Sequence, residues 1–176
     1  GPVLSEEWDD FQLRFLGQNG LTIIQNANQA RINGLEMDAT WAFGGGLVLS
    51  GGVAFIHSEL TEDYCGIADP VTSKPVTSCP AGVIDPVFGE FEGPQAPKGT
   101  ELPVSPRFKG NVTARYEFAL GSFDAHLQGA LVHAGKRWAD LRLSAREAIG
   151  RLDSYEIFDL TAGIDNGTYS IELFVG

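Results

Sequence analysis

The sequence predicts an all-β fold, an antiparallel meander of about seven strands. Three observations predict it. Apolar and polar residues alternate with period two along successive runs, the signature of strands with one greasy and one wet face. Glycine- or Asn-Gly-containing turns separate those runs, as hairpins require. The 22 glycines among 176 residues, well above the usual ~7%, suit turns and strands better than helices.

The first strand signals are weak, at Trp8 to Leu16 and Ile24 to Ala30, on either side of the turn-like Gly17-Gln18-Asn19-Gly20. From Asn33 to Trp41 the alternation is clear. Leu35, Met37, Ala39 and Trp41 share one face, and Gly34, Glu36, Asp38 and Thr40 the other. Leu47, Leu49, Val53 and Phe55 repeat the pattern opposite Ser50, Gly52 and Ala54, after Gly44-Gly45-Gly46, which suits a reversal needing positive φ. Val112, Ala114, Tyr116 and Phe118 oppose Asn111, Thr113, Arg115 and Glu117. Phe123, Ala125, Leu127 and Leu131 oppose Asp124, His126 and Gln128, with only residues 119–122 between the two runs. Phe158, Leu160, Ala162 and Ile164 lead through Asp165-Asn166-Gly167 to Tyr169, Ile171, Leu173 and Val175.

The connections alternate in length. Short links at 44–46, 119–122 and 165–168 contrast with long ones at about 61–106 and 135–153. A meander with all tight turns at one end and all long loops at the other is the pattern of a transmembrane β-barrel, whose apolar face meets lipid and whose polar face lines the lumen. A soluble sheet would instead bury its apolar face in a core. The barrel reading assigns Leu35, Met37, Ala39, Trp41, Leu49, Val53, Phe55, Tyr116 and Leu127 to lipid. Glu36, Asp38, Arg115, Glu117, Asp124 and Gln128 go to the lumen. Aromatic residues near the short turns, Trp41 and Phe43, Phe118 and Phe123, and Tyr169, agree with a membrane interface. Seven strands would form only a partial barrel, leaving edges at about Trp8 to Leu16 and Tyr169 to Val175 that need further partners. The alternative is a secreted β-sandwich or adhesin-like binding module using loop 61–106 as its recognition surface.

That loop carries eight Pro from Thr61 to Pro106 and both cysteines, Cys65 and Cys79. Without Cys-x-x-Cys or His spacing they do not read as a zinc site. A disulfide in an exterior, oxidising compartment is expected, with two unrelated free thiols as the alternative. In the second long loop Leu141, Ala145, Ala148, Ile149 and Leu152 recur at helical spacing, predicting a short amphipathic helix packed on the base of its own loop.

Composition excludes several functions. A net charge of −11 repels a phosphate backbone, so no nucleic-acid partner is expected. The longest apolar stretch, Gly44 to Ile56, is interrupted by five Gly and a Ser, so no membrane-spanning helix is expected. His57, His126 and His133 lack metal-ligand spacing and read as lumen or rim residues. There is no nucleophile elbow and no phosphate-cradling glycine loop, and Glu36 with Asp38 reads as lumen wall rather than a glycosidase pair. The chain is therefore expected not to be an enzyme and to need no cofactor. Asn111-Val112-Thr113 and Asn166-Gly167-Thr168 match the glycosylation pattern by chance, one inside a strand and one in a turn.

Several segments together resemble the C-terminal barrel region of TonB-dependent outer-membrane receptors. They are Gln25-Asn26-Ala27-Asn28-Gln29-Ala30-Arg31-Ile32-Asn33-Gly34-Leu35-Glu36, Leu47 to Gly51, and Leu102-Pro103-Val104-Ser105-Pro106 ahead of Phe108 to Tyr116, then Leu160 to Ile164 followed by Tyr169 to Val175. The resemblance covers residues 8–176. It implies a barrel of about 22 strands with an N-terminal plug, in the outer membrane of a Gram-negative bacterium. Such a receptor imports a scarce solute (an iron chelate, cobalamin or a carbohydrate) with energy passed through TonB. The implied partners are outer-membrane lipid, a transported small-molecule ligand and, through the plug, TonB. No plug and no final strand ending in an aromatic residue are recognisable, so residues 1–176 are read as a fragment of the barrel. The opening Gly1-Pro2 is either a protease scar or natural sequence.

Overall fold

The structure, a computed structural model, describes residues 3–8, 11–16, 22–27, 29–103 and 105–176. Among the described residues there are thirteen strands and one helix. The strands are β1 (Val3–Trp8), β2 (Phe11–Leu16), β3 (Thr22–Ala27), β4 (Ala30–Gly44), β5 (Leu47–Leu60), β6 (Ile84–Asp85), β7 (Gly89–Glu90), β8 (Phe108–Leu120), β9 (Phe123–Ala134), β10 (Arg137–Trp138), β11 (Arg151–Leu152), β12 (Tyr155–Asp165) and β13 (Ser170–Val175). The helix is α1 (Leu143–Ile149).

Seven strands make one antiparallel sheet in the order β1-β4-β5-β8-β9-β12-β13. From β4 onward the sheet is a meander, and it is not closed: β1 and β13 are its edges. The tight turns gather at one end. Gly44, Gly45 and Gly46 all have positive φ, as do Gly121 and Gly167, a conformation open to glycine at little cost. Neighbouring hairpins are staggered: Leu47, the first residue of β5, pairs with Tyr116 rather than with Leu120 at the end of β8. Such stagger accompanies the strand tilt of barrel walls.

The N-terminal region differs from its reading in the sequence. The edge expected at Trp8 to Leu16 is instead Val3–Trp8, paired with the start of β4, while Phe11–Leu16 pairs with Thr22–Ala27 in a separate two-stranded ladder. The two ladders share one register, Trp8 opposite Ala30 and Phe11 opposite Ala27. The strand expected at Ile24 to Ala30 ends at Ala27, and Ala30 already belongs to β4. Alternation misses the first turn's worth of β4 because Arg31 and Asn33 make polar cross-strand bonds, to Glu7 and Ser5, instead of apolar contacts. The turn-like Gly17-Gln18-Asn19-Gly20 lies outside the described residues.

The buried core sits at the long-loop end. Ala30 and Leu60, facing each other across β4 and β5, cluster with Tyr64, Ala96, Leu102 and Leu141. Three of these come from residues 61–106 and one from the second long loop. Backbone bonds tie the first loop down: Tyr64 and Ala96 exchange N–H···O bonds of 2.8 and 3.1 Å, and Leu60 and Leu102 donate to Thr100 and Ser58. Cys65 and Cys79 are joined in a disulfide with an S–S distance of 2.06 Å.

The helix forms, but not as an amphipathic element on its own base. It spans Leu143–Ile149 with no buried residue, and Ile149 and Leu152 are exposed. Leu141, ahead of the helix, is the fully buried anchor, and it inserts between residues of the other long loop. Arg146 adds hydrogen bonds to the carbonyls of Asp140 and Glu101, and the Leu143 N–H donates to Gln95. Seven residues are too few for an apolar stripe to outweigh those anchors.

Candidate functional site

Cross-strand partners lie on the same side of a sheet, so the register sorts every strand residue into one of two faces. On one face Leu35 is opposite Phe55, Met37 opposite Val53, Ala39 opposite Gly51 and Trp41 opposite Leu49. The face continues through Leu47, Tyr116, Leu127 and Ala162 in a single row across four strands. Leu35, Met37, Trp41, Phe55, Tyr116 and Leu127 are all exposed, so no described residue covers this face. An exposed apolar surface of this extent on a chain is far beyond what isolated surface hydrophobics produce.

The opposite face is polar. Glu36 is opposite Ala54, and Asp38 opposite Gly52, which in turn faces Asn111. Arg115 donates from Nε to Glu117 Oε1 at 2.8 Å and from Nη1 to Gln128 Oε1 at 3.3 Å. Glu117 is opposite His126, and Asp124 is opposite Asp165. The His126 ring lies over Gly163, where a Cβ would come within 2.3 Å of its Cε1. Its Nε2 lies 3.4 Å from Glu172 Oε2, an ion-pair distance without hydrogen-bond alignment. Arg115, Glu117 and Gln128 are thus brought into one network, while Glu36, Asp38 and Asp124 stand apart from it along the same wall.

The apolar face is bounded at both ends. Toward the tight turns Trp41 stacks on Phe43 and Tyr116 on Phe118, each with centroids 5.3 Å apart. Toward the long loops Phe55 packs on Phe108 at 5.1 Å, and Phe108 on His133 at 5.8 Å. Past these rings the same face turns polar: Arg31 pairs with Glu7 at 2.9 Å, His57 with Glu59 at 3.3 Å and His133 with Glu156 at 3.2 Å. From Leu47 to Phe55 along β5 the apolar stretch is ~27 Å at ~3.4 Å per residue. Sequence reasoning found the turn-side aromatics and missed the loop-side band, because Phe108 pairs with Phe55 only through a register that skips residues 61–106.

The long loops carry a second concentration of chemistry. Asp140 accepts two bonds from the Arg142 guanidinium, at 3.1 and 2.8 Å. Burial pushes the Asp140 carboxyl up, but the Arg142 bonds outweigh it and hold it below the usual carboxylate range. Arg142 is correspondingly raised by Asp140. Arg146 and Arg151 lie against the Trp138 indole at 4.6 and 4.4 Å, and Arg137 against the Tyr155 ring at 5.3 Å. Among the described residues no group of His, Cys, Asp and Glu has metal-binding geometry, and no helix is long and apolar enough to cross a membrane.

The family model described as TonB dependent receptor-like, beta-barrel matches residues 6–176. No curated protein matches the chain.

Proposed function

Because this chain belongs to the TonB-dependent receptor β-barrel family, a transport-receptor family of the Gram-negative outer membrane rather than an enzyme class, we propose that it forms a seven-strand portion of a barrel wall through which a scarce solute is imported. The solute is an iron chelate, cobalamin or a carbohydrate, and TonB, acting through the receptor's plug region, supplies the energy. Leu35, Met37, Ala39, Trp41, Leu49, Val53, Phe55, Tyr116 and Leu127 face lipid. Glu36, Asp38, Arg115, Glu117, Asp124 and Gln128 face the lumen.

The observation that carries this reading is the apolar face, uncovered among the described residues and bounded by stacked aromatic pairs at the turn end and by the tilted Phe55–Phe108 pair at the loop end. A lipid-facing barrel surface has an apolar band ~25 Å tall with an aromatic girdle at each interface, and rings placed there keep their apolar bodies in hydrocarbon and their edges near headgroups. The exposed strand edges fit the same reading, since a sheet in lipid must pair both edges with further strands. A secreted sandwich would need a second sheet over Leu35 to Phe55, and a further sheet on this face would cover the aromatics that flank it.

Gel mobility of the complete receptor in detergent, with and without heating, tests the proposal. A folded barrel migrates faster unheated than heated. Equal mobility, together with solubility in the absence of detergent, would favour the sandwich.

A further inference from the structure

At the edge of the sheet β13 has little to hold it. Its residues Ser170–Val175 are all exposed, and among the described residues its backbone ladder is with β12 alone. A further tie reaches it from β9. The register places Glu117 of β8, His126 of β9, Gly163 of β12 and Glu172 of β13 in a single row on the polar face. The backbones at His126 and Glu172 are about 10 Å apart, two strand spacings, so the two side chains meet by leaning across β12. Gly163 opens that passage: a Cβ there would lie 2.3 Å from His126 Cε1 and 3.0 Å from both ring nitrogens. The ring fills the space of the missing side chain, and its Nε2 arrives 3.4 Å from Glu172 Oε2, shielded from solvent and without a hydrogen bond.

The charges around the ring leave Glu172 to His126. Glu117, opposite the ring on β8, is taken by Arg115. Asp124 of β9 faces Asp165 of β12 in the next row toward the tight turns. Glu172 pairs with no other cation among the described residues. A carboxylate only accepts hydrogen bonds, so the contact is favourable with a proton on Nε2, and it becomes charge-assisted when both ring nitrogens carry one. Histidine is the side chain whose charge ordinarily changes between about pH 5 and pH 8. By linkage, an arrangement that gains from the added proton is favoured more as pH falls through that range.

We propose that His126 and Glu172, meeting across Gly163, form an acid-strengthened clasp that fastens β13 to β9. A strand at a sheet edge offers its unpaired backbone groups to whatever pairs with it next, and the clasp holds those groups of β13 in place. It rests on the strand register and on the seat of the ring over Gly163, not on the transport reading above.

Amide exchange of the complete receptor in detergent micelles tests the clasp, read on β13 from about pH 8 to about pH 5.5 and corrected for the pH dependence of the chemical exchange step. That window lies above the usual carboxylate titration, so it reads histidine rather than the facing Asp124 and Asp165. Protection of the β13 amides is expected to rise about two- to fivefold as pH falls, the scale of a partly exposed ion pair. His126→Gln and Glu172→Gln should each abolish the rise. Gly163→Ala keeps both titrating groups but fills the passage, and should abolish it as well. His133→Gln, which removes the β9 histidine paired with Glu156 on the opposite face, should leave it unchanged. Protection of β13 that does not respond to pH in the unaltered receptor, a response that survives His126→Gln or Glu172→Gln, or one lost equally in His133→Gln would overturn the clasp. A full response in Gly163→Ala would overturn the route across β12; should that variant fail to fold, His126→Gln and Glu172→Gln still decide.

Discussion

Replacing Leu141 by Ala tests whether the two long loops act as one body. Leu141 is fully buried among Leu60, Tyr64, Ala96 and Leu102, and no other apolar residue of its loop joins that cluster. Leu→Ala changes in cores cost ~2–5 kcal/mol, with the lower values where surroundings can collapse into the space. This core is thin and built largely of loop, so the lower part of the range applies, about 2–3 kcal/mol. At ~1.4 kcal/mol per factor of ten, local opening should rise roughly 30- to 150-fold. The assay is amide exchange in detergent. The N–H groups of Tyr64, Ala96 and Leu102, bonded to Ala96, Tyr64 and Ser58 carbonyls, should exchange faster by that factor, while those of β8 and β9 keep their protection. Unchanged rates at Tyr64 and Ala96 would refute the idea that Leu141 holds the loops together. Equal acceleration throughout β8 and β9 would show that the loop core and the sheet open as one unit.

Three further predictions follow from the same geometry. Ala39→Arg, in the middle of the apolar face, should cost about 2–4 kcal/mol in lipid, whereas Thr40→Arg on the polar face should cost little; equal denaturation midpoints in phospholipid would contradict the assignment of faces. Gly46→Ala should impair folding far more than Gly45→Ala, because a Cβ at Gly46 would sit 1.9 Å from the Glu117 carbonyl oxygen while one at Gly45 meets nothing within 4 Å, and refolding yields of the two variants measure the difference. The Asp140–Arg142 contribution is present above the unfolded Asp pKa and lost as pH falls through the lower, folded value. Loop amide protection should accordingly survive mild acid and fall only below the ordinary carboxylate range, and Asp140→Asn should abolish that acid step.

The alternation from Leu35 to Trp41 and from Val112 to Leu131 was enough to determine strands, their faces and the all-β class, because a strand's side chains switch sides at every residue whatever its partners are. The same local logic located the turns, where three consecutive glycines or Asn166-Gly167 permit positive φ, and it singled out the Cys65–Cys79 pair. The family resemblance was legible too, being carried by the order of those segments. Pairing was not. Which residues of β5 meet β8 depends on a register across a connection of more than 40 residues, so the loop-side band of Phe55 and Phe108 and the polar belt of Arg31, His57 and His133 had no local signal. The N-terminal strands show the limit most clearly. Arg31 and Asn33 break the apolar alternation, yet they extend β4 because Glu7 and Ser5 lie opposite them. Leu141 fits a helical stripe by spacing, but the tertiary structure removes it from the helix and buries it against the other loop. The meeting of Arg146 and Arg151 over the Trp138 ring likewise arises only when β10, α1 and β11 fold together. Periodicity reports what each residue does to its own strand; register and loop docking are set by contacts between residues far apart in the chain, and only the tertiary structure contains them.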